Sequence, residues 1–529
     1  MRYIYALKKK EEREGTNLKV LDQEIRSVLE KINVKEERYI VINEDSFEFS
    51  FSGCIPRGNL QQMGRLLAAN RTDMSGFVRQ ESMAYAFLSY NKSRSEEERV
   101  LVEFADRSTI GFENEFDMED MPEWIRFYRG VELCTTYISE ATARNIFGDS
   151  VNLTETKDVF LVKLKHCRFN SKEVDKYSES DGIAGRYYKN KGSICQIEHL
   201  YSAGLYENDF LDLVDIKSLG IVSDEEKDSI VSKFDYDIAS SGAQQSNSGI
   251  LNGETKYTFT VHDVGQALAT SLSEKGKEPF FYFDYGIACR RNKFTLPNTA
   301  ELPIAENATI LLSHVDEDHW CGFRLNQDAL RCRWVIPQNP TKALRKLLSS
   351  VYLSGGSISL YRADGLNVFE IMNVNNCMVA GNARSLLNPT RVPATVHENG
   401  NALYIFAEHD GEEYKIVVSG DQDYDYQNNN YLRDVNLLVA CHHGGSYSWS
   451  TNAAVPQPNT NSNMIVYSYG QGNTYGHPSK INEYMQNGWT TEHHTSRDGD
   501  YEIELKLIDN TRLKNEIKAT NPMGMDFEV

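Results

Sequence analysis

A chain of 529 residues exceeds one ordinary core, so at least two domains are expected. A hydrophobic share of 40% with 11% aromatic residues excludes a disordered chain. A net charge of −20 excludes a surface that coats nucleic acid non-specifically, while leaving room for a local cationic or metal-lined cleft.

In chain order, Met1–Leu7 runs straight into Lys8, Lys9, Lys10, Glu11 and Glu12, without the apolar core of a secretory signal. No run of about 18 apolar residues occurs, so no membrane-spanning helix is expected. The nine cysteines, odd in number and without a CxxC pair, read as reduced thiols. Together these features predict a cytoplasmic protein with no membrane partner.

Leu18, Leu21, Ile25, Val28, Leu29 and Ile32 recur at helical spacing. Tyr39–Phe51 alternates like strands around a turn, Met121–Phe147 is helix-rich, and Val159–Leu164 reads as a strand. Ser223 with Glu226 three residues on is a capping-box start for a short helix. The polar run Ala239–Gly249 reads as a flexible linker. We expect residues 1–238 to form an N-terminal mixed α/β domain of unknown fold, 239–255 a linker, and 256–529 a second domain. In the first domain His166 and His199 stand alone, and no motif carries chemistry.

The second domain alternates β-rich runs with loops and helices. Strands are predicted at Tyr257–Val261, Phe280–Asp284, Thr309–Ser313, Trp334–Pro337, Lys415–Ser419, Leu437–Cys441 and Met464–Ser468. Several end in His, Asp or Gly, the arrangement by which an α/β scaffold holds a rigid site. Ten of the twelve histidines lie after residue 260. The densest group is His314-Val315-Asp316-Glu317-Asp318-His319, directly after an apolar strand. Imidazole and carboxylate together suit zinc, manganese or iron. Asp284, Asp421, His442 and His443 stand at other strand ends, and His477 lies in Tyr475-Gly476-His477-Pro478. His477 also reads as a helix-start residue before Pro478. Asp263 fits a structural turn as well as a site. His493-His494 reads as a surface pair, and Arg497 as either a phosphate ligand or a surface ion pair.

Seven short motifs follow one another. They are Asp263-Val264-Gly265-Gln266-Ala267, Asp284-Tyr285-Gly286, Ser313–His319, Ser419-Gly420-Asp421, His442–Ser446, Asn473–Pro478 and Ser496–Gly499. In this order they resemble the metallo-β-lactamase superfamily, and within it the nuclease-like domain of the ComEC competence proteins, over roughly residues 257–509. Ser313–His319 is similar to the SHPDxDH form, in which Asp316 stands where most relatives have histidine. The chain departs from the pattern at Ala267, at Trp320-Cys321-Gly322-Phe323 and at Gly445. The superfamily's third-motif histidine has no clear counterpart, His397 and His409 being poorly placed. ComEC spans a membrane, and this chain has no such segment.

The resemblance implies an αβ/βα sandwich holding two divalent metal ions, Zn or Mn. His314 and Asp316 would hold one, Asp318 and His319 the other, and Asp421 would bridge them. His442 would add a ligand, with His443 as the runner-up, and Asp284 would orient a ligand from behind. Asp318, His443 and His477 are the catalytic candidates, His477 as general acid or as part of a metal shell. Two cations would make a bridging water acidic, with a pKa of about 7, and the hydroxide would attack phosphorus. Gly444-Gly445 would let a phosphate approach the backbone. The implied activity is that of a soluble DNA nuclease, of a kind that suits bacterial defence, with the N-terminal half binding a regulatory protein partner. Hydrolysis of a small phosphodiester or other ester is the alternative, as is a binding or signalling module with a degenerate metal site.

Overall fold

The computed structural model describes residues 255–338, 340–361, 366–371, 374–381, 401–427, 431–447, 455–508 and 526–528 in the C-terminal half. In the N-terminal half it describes 3–7, 39–42, 49–52, 81–90, 100–107, 110, 122–131, 133–153, 157–166, 194–197, 214–235 and 238. The expected helix around Leu18–Ile32 and the linker Ala239–Gly249 lie outside the described residues. The chain divides into two compact units, Met1–Ser89 with Leu101–Tyr236, and Tyr90–Val100 with Asp237–Val529.

The first unit holds a four-stranded sheet, in the order Phe49–Ser52, Tyr39–Ile42, Tyr3–Leu7, Ile194–Ile197. The expected strands around a turn are the antiparallel pair that aligns Tyr39 with Ser52. A second, five-stranded sheet runs Leu133–Ile138, Val100–Asp106, Glu81–Tyr90, Val159–His166, Val214–Ile221. Two helices, Glu123–Gly130 and Glu140–Phe147, flank one of its strands. Phe234, on the helix Asp224–Phe234, packs edge-on against Phe87 and Phe127 with centroids 4.9 Å apart in each case. That helix begins where expected: the Ser223 hydroxyl accepts the Glu226 N–H and satisfies one orphan donor of the first turn.

The second unit is built from two half-sheets. The first runs Ser357–Tyr361, Arg333–Pro337, Thr309–Leu311, Phe281–Tyr285, Ala269–Glu274, Tyr257–Val261, Tyr501–Leu507. The second runs Ala402–His409, Glu412–Val418, Leu437–Val439, Met464–Tyr467, Thr491–His494. Ala407 opposite Leu507 and Glu408 opposite Lys506 join them. In both, an antiparallel hairpin leads into parallel strands.

Alternation along the strands sorts the side chains into layers. Phe259, Val261, Phe281, Phe283, Leu311 and Val335 from the first half-sheet share one buried core with Leu403, Ile405, Ile416, Val418, Leu437 and Val439 from the second. The outer face of the second half-sheet, with Tyr404, Val417, Leu438 and Ile465, packs against Tyr424, Tyr431, Tyr484 and Trp489. Outside the first half-sheet lies the crossover helix Lys342–Leu353, capped by Thr341, which buries Leu344, Leu348 and Val351. Two sheets face to face with helical cover outside is the αβ/βα layering that the motifs predict. Among the described residues no helix is long and apolar enough to cross a membrane.

The parallel strands point their C-terminal tips at one edge, which is where open α/β sheets collect ligand-binding residues. Close packing there depends on Gly286, just past the Phe281–Tyr285 strand. A β-carbon on it would lie 1.7 Å from the Asp318 carbonyl oxygen and 2.7 Å from that of Leu268. Gly286→Ala should therefore destabilise the C-terminal unit by about 3 kcal/mol, measured as a lower midpoint in thermal unfolding of the full chain.

Candidate metal centre

Three segments from the first half-sheet and two from the second meet at this edge. Phe281–Tyr285 delivers Asp284, and Thr309–Leu311 leads into Ser313, His314, Asp316, Asp318 and His319. Glu412–Val418 leads to Asp421, and Leu437–Val439 to His442 and His443. Asp263–Ala267 follows Tyr257–Val261 at the same edge. His314, Asp316, His319, Asp421 and His443 are buried, and Asp318 and His442 are partly open. Asp284, His442 and His443 have φ of 58°, 49° and 56°. Left-handed backbone at non-glycine residues costs roughly 1–2 kcal/mol each, and here it falls on residues that aim side chains into the site.

The back of the site fixes the front. The Asp284 carboxylate is fully buried. It accepts the Ser313 N–H at 2.7 Å, the Ser313 hydroxyl at 2.7 Å and the His319 Nδ1–H at 2.8 Å. The Ser313 hydroxyl has spent its one hydrogen on Asp284, so at 2.8 Å it accepts from His314 Nδ1. His443 Nδ1 donates to the Ser468 carbonyl at 2.9 Å, and His442 Nδ1 to the Ser446 carbonyl at 3.3 Å. With Nδ1–H engaged, each neutral ring turns an Nε2 lone pair forward.

Those Nε2 atoms surround Asp421. His319 Nε2 is 3.3 Å and His443 Nε2 3.9 Å from its Oδ1. His442 Nε2 is 3.7 Å and His314 Nε2 3.8 Å from its Oδ2. Asp316 faces His314 at 3.6 Å, and Asp318 faces His443 at 3.7 Å. Two triplets have donor atoms within 4.8 Å of one another: His314, His319 and Asp421, and Asp318, His319 and His443. The residues fit a divalent cation. His443 Nε2 is buried with no hydrogen-bond partner, and an imidazole–carboxylate donor set suits zinc or manganese. One imidazole nitrogen binds one cation, so the triplets sharing His319 are not two complete sites. A second cation would have to draw on Asp316, His442 and Asp421.

Protons compete for the same atoms. Burial lowers the His319 pKa, but Asp421 and Asp284 outweigh it and hold the imidazole well above its ordinary value. Burial raises that of Asp421, but His442, His319 and His443 outweigh it and hold the carboxyl well below its usual range. A cation must therefore displace a tightly held proton from His319.

All the sequence-predicted ligands reach this edge. His443, the expected runner-up, joins a triplet that could hold a metal ion, whereas His442 lies in neither. Of the two third-motif candidates, His397 lies outside the described residues. His409 sits at the far end of Ala402–His409, roughly 20 Å along the strand from the site, and bonds the Glu504 carbonyl. Asn401, at the near end, donates to the Ser313 carbonyl instead.

The surface reading of the pair His493-His494 is corrected for His494. His494 is not a surface residue: it is buried, against Tyr467 and within 3.1 Å of the Tyr469 hydroxyl. His493 bonds the Gly499 carbonyl. Arg497 pairs with its neighbour Asp498 on the surface. Asp263 is a turn residue, accepting the Gly265 N–H. Burial pushes its carboxyl up to about 6. The open backbone at Gly444-Gly445 is filled by the chain itself: a β-carbon on Gly444 would meet Pro478 at 2.6 Å, and one on Gly445 would meet His477 Nε2 at 2.4 Å. The sequence reading missed Ser313, Ser468 and Gln266 as supporting residues. The available signal is that Ser313 stands beside His314, Gln266 lies inside the first motif and Ser468 ends a predicted strand.

No family model matches the chain, and no curated protein matches it. Among solved structures, Zn(2+)-bound PqqB from Methylobacterium extorquens is similar at 8% identity and a TM-score of 0.28, over 47% of this chain and 99% of that one. Isothiocyanate hydrolase from Delia radicum gut bacteria is similar at 11% identity and a TM-score of 0.26, over 46% of this chain and 98% of that one.

Asp284 orients two of the imidazoles, His319 directly and His314 through the Ser313 hydroxyl. Asp284→Asn should weaken Zn²⁺ or Mn²⁺ binding about 10–100-fold, measured by competition with a chromogenic chelator. In the unmodified protein the affinity should fall as pH is lowered, because His319 retains its proton.

Proposed function

We propose that the C-terminal unit is a metal-dependent hydrolase, and more specifically a phosphodiesterase that cleaves DNA. The observation that carries this reading is the convergence of imidazole Nε2 atoms on the buried carboxylate of Asp421. A solvated polar turn would leave such groups facing water. Here His443 Nε2 is buried without a hydrogen bond, an arrangement that costs roughly 1–3 kcal/mol unless a ligand satisfies it.

His314, His319, His443 and Asp421 would hold the first cation, and Asp316 and His442, with Asp421 shared, would serve a second. Divalent ions held there supply Lewis acidity and lower the pKa of water to about 7. The protein's own groups orient the reaction. Asp284 and Ser313 keep two imidazoles from rotating. Asp318, partly open and 3.7 Å from His443 Nε2, would accept a proton from an incoming nucleophile. His477 stands over the His442 and His443 rings, with centroids 5.0 and 6.2 Å away. Asp316 in place of the commoner histidine supports phosphodiester chemistry over lactam cleavage, through the motif resemblance.

The net charge of −20 favours a second reading, a small phosphodiester or other ester as substrate, since a long polyanion is repelled at distance. The N-terminal unit then serves a regulatory protein partner. Leu219 and Ile221, 50% and 56% exposed on a strand at the sheet's edge, support that role. The buried free thiols of Cys289, Cys321, Cys332 and Cys441 fit a reducing, cytoplasmic setting such as a bacterial defence enzyme would occupy.

Incubation with linear, circular and single-stranded DNA plus Mn²⁺ should give cleavage that Asp421→Ala abolishes. Turnover of bis-p-nitrophenyl phosphate without DNA cleavage would move the assignment to the small-substrate reading. No stoichiometric metal in carefully purified protein would leave a binding module.

A further inference from the structure

The geometry assigns Gln266 a task at this site: it holds His477 as a neutral imidazole with its proton on Nε2. His477 is then a hydrogen-bond donor to a substrate oxygen, and neither a metal ligand nor a proton donor.

Gln266 is buried. Its backbone N–H donates to Thr295 Oγ1 at 3.0 Å. Its amide is held between two groups that tell its ends apart. The Gly470 N–H, which can only donate, meets Oε1 at 3.4 Å. The NH₂ end therefore faces His477 Nδ1 at 3.1 Å. An NH₂ group only donates, so Nδ1 must carry a lone pair. A neutral imidazole with a lone pair on Nδ1 has its hydrogen on Nε2.

The rest of the loop keeps the ring in place. Asn473 Oδ1 accepts the His477 N–H at 3.1 Å, and Asn473 Nδ2 donates to the His477 carbonyl at 2.7 Å. Nε2 points at the turn carrying His442 and His443, close enough that a β-carbon on Gly445 would lie 2.4 Å from it. Here the tautomers divide. His319, His314 and His443 have an acceptor behind Nδ1, so their Nε2 can bind a cation. His477 has a donor behind Nδ1, so its Nε2–H can only give a hydrogen bond. A fixed N–H beside a metal centre suits the charge that develops on a phosphoryl oxygen, and a neutral imidazole kept as an electrophile is a known solution. This substrate end of the inference rests on the phosphodiesterase reading. The tautomer does not.

The test uses the full chain with ¹⁵N-labelled histidine. Long-range ¹H–¹⁵N correlation spectra, with His477 assigned by the signal lost in His477→Ala, should show an unprotonated Nδ1 and a protonated Nε2 in the metal-free and Zn²⁺-loaded protein alike. Gln266→Glu places an acceptor behind Nδ1 and should move a proton there. A protonated Nδ1 in the unmodified protein would overturn the inference. His477→Ala should bind Zn²⁺ with unchanged affinity, and a tenfold loss would make His477 a ligand instead. In phosphodiester turnover His477→Ala should lose about 10²–10³ in kcat. His477→Gln, which donates a hydrogen bond but cannot ionise, should recover most of it, whereas a proton donor would not be rescued by an amide. If the unmodified protein hydrolyses no phosphodiester while the Nε2–H tautomer is seen, the phosphodiesterase reading fails and the role of Gln266 stands.

Discussion

The site depends on one buried carboxylate whose oxygens are taken up by the protein's own donors. Asp284 takes three hydrogen bonds, from the Ser313 N–H, the Ser313 hydroxyl and His319 Nδ1. A buried carboxylate without partners would be neutral or destabilising. With them it becomes a fixed acceptor that sets the tautomer of His319 directly and of His314 through one hydroxyl. Its own φ of 58° shows that the backbone has been bent to bring it there. Remove that acceptor and the loop from Ser313 to His319 loses the reference that keeps its imidazoles facing Asp421.

The fold supplies the geometry that makes this economical. Each half-sheet feeds parallel strands to one edge, so residues distant in sequence arrive at adjacent strand tips. The first half-sheet contributes Asp284 and the loop from Ser313 to His319; the second contributes Asp421, His442 and His443. The inner core is shared between the sheets, through Phe283, Leu311 and Val335 on one side and Val418 and Val439 on the other. Side chains packed at solid density transmit displacement with little give. The spacing of the two ligand sets is therefore set by the same apolar contacts that hold the unit together.

Much of this was legible in the sequence where local chemistry is dense. Ile310–Leu312 is an apolar run that leads straight into the imidazoles and carboxylates of 314–319, and Tyr257–Val261 reads as a strand on composition alone. Strands without such signals were missed. Ala269–Glu274 is small and polar, and Tyr501–Leu507 alternates Glu and Lys with apolar residues, so neither announces a central position. Both are strands because they pair with Tyr257–Val261 on its two sides, which is tertiary information. His494 was misread for the same reason. Its neighbours in sequence are polar, and its burial comes from Tyr467 on the adjoining strand.

The roles of the histidines were the least legible part, and the reason is general. An imidazole's function here is decided behind the ring. The group behind His443 is a carbonyl 25 positions away, the group behind His319 a carboxylate 35 away, and the group behind His477 an amide 211 away. No spacing rule links residues at such separations. A motif can state that a histidine stands at a strand end, but carbonyl and amide leave opposite protons on the same ring. The paired histidines show this at close range. His442 and His443 are adjacent in sequence, both left-handed and both backed by carbonyls, yet of the two only His443 joins a triplet, and its anchor, Ser468, lies just past the strand Met464–Tyr467. Ligand, donor and structural histidine are thus separated by partners that only the folded edge brings together.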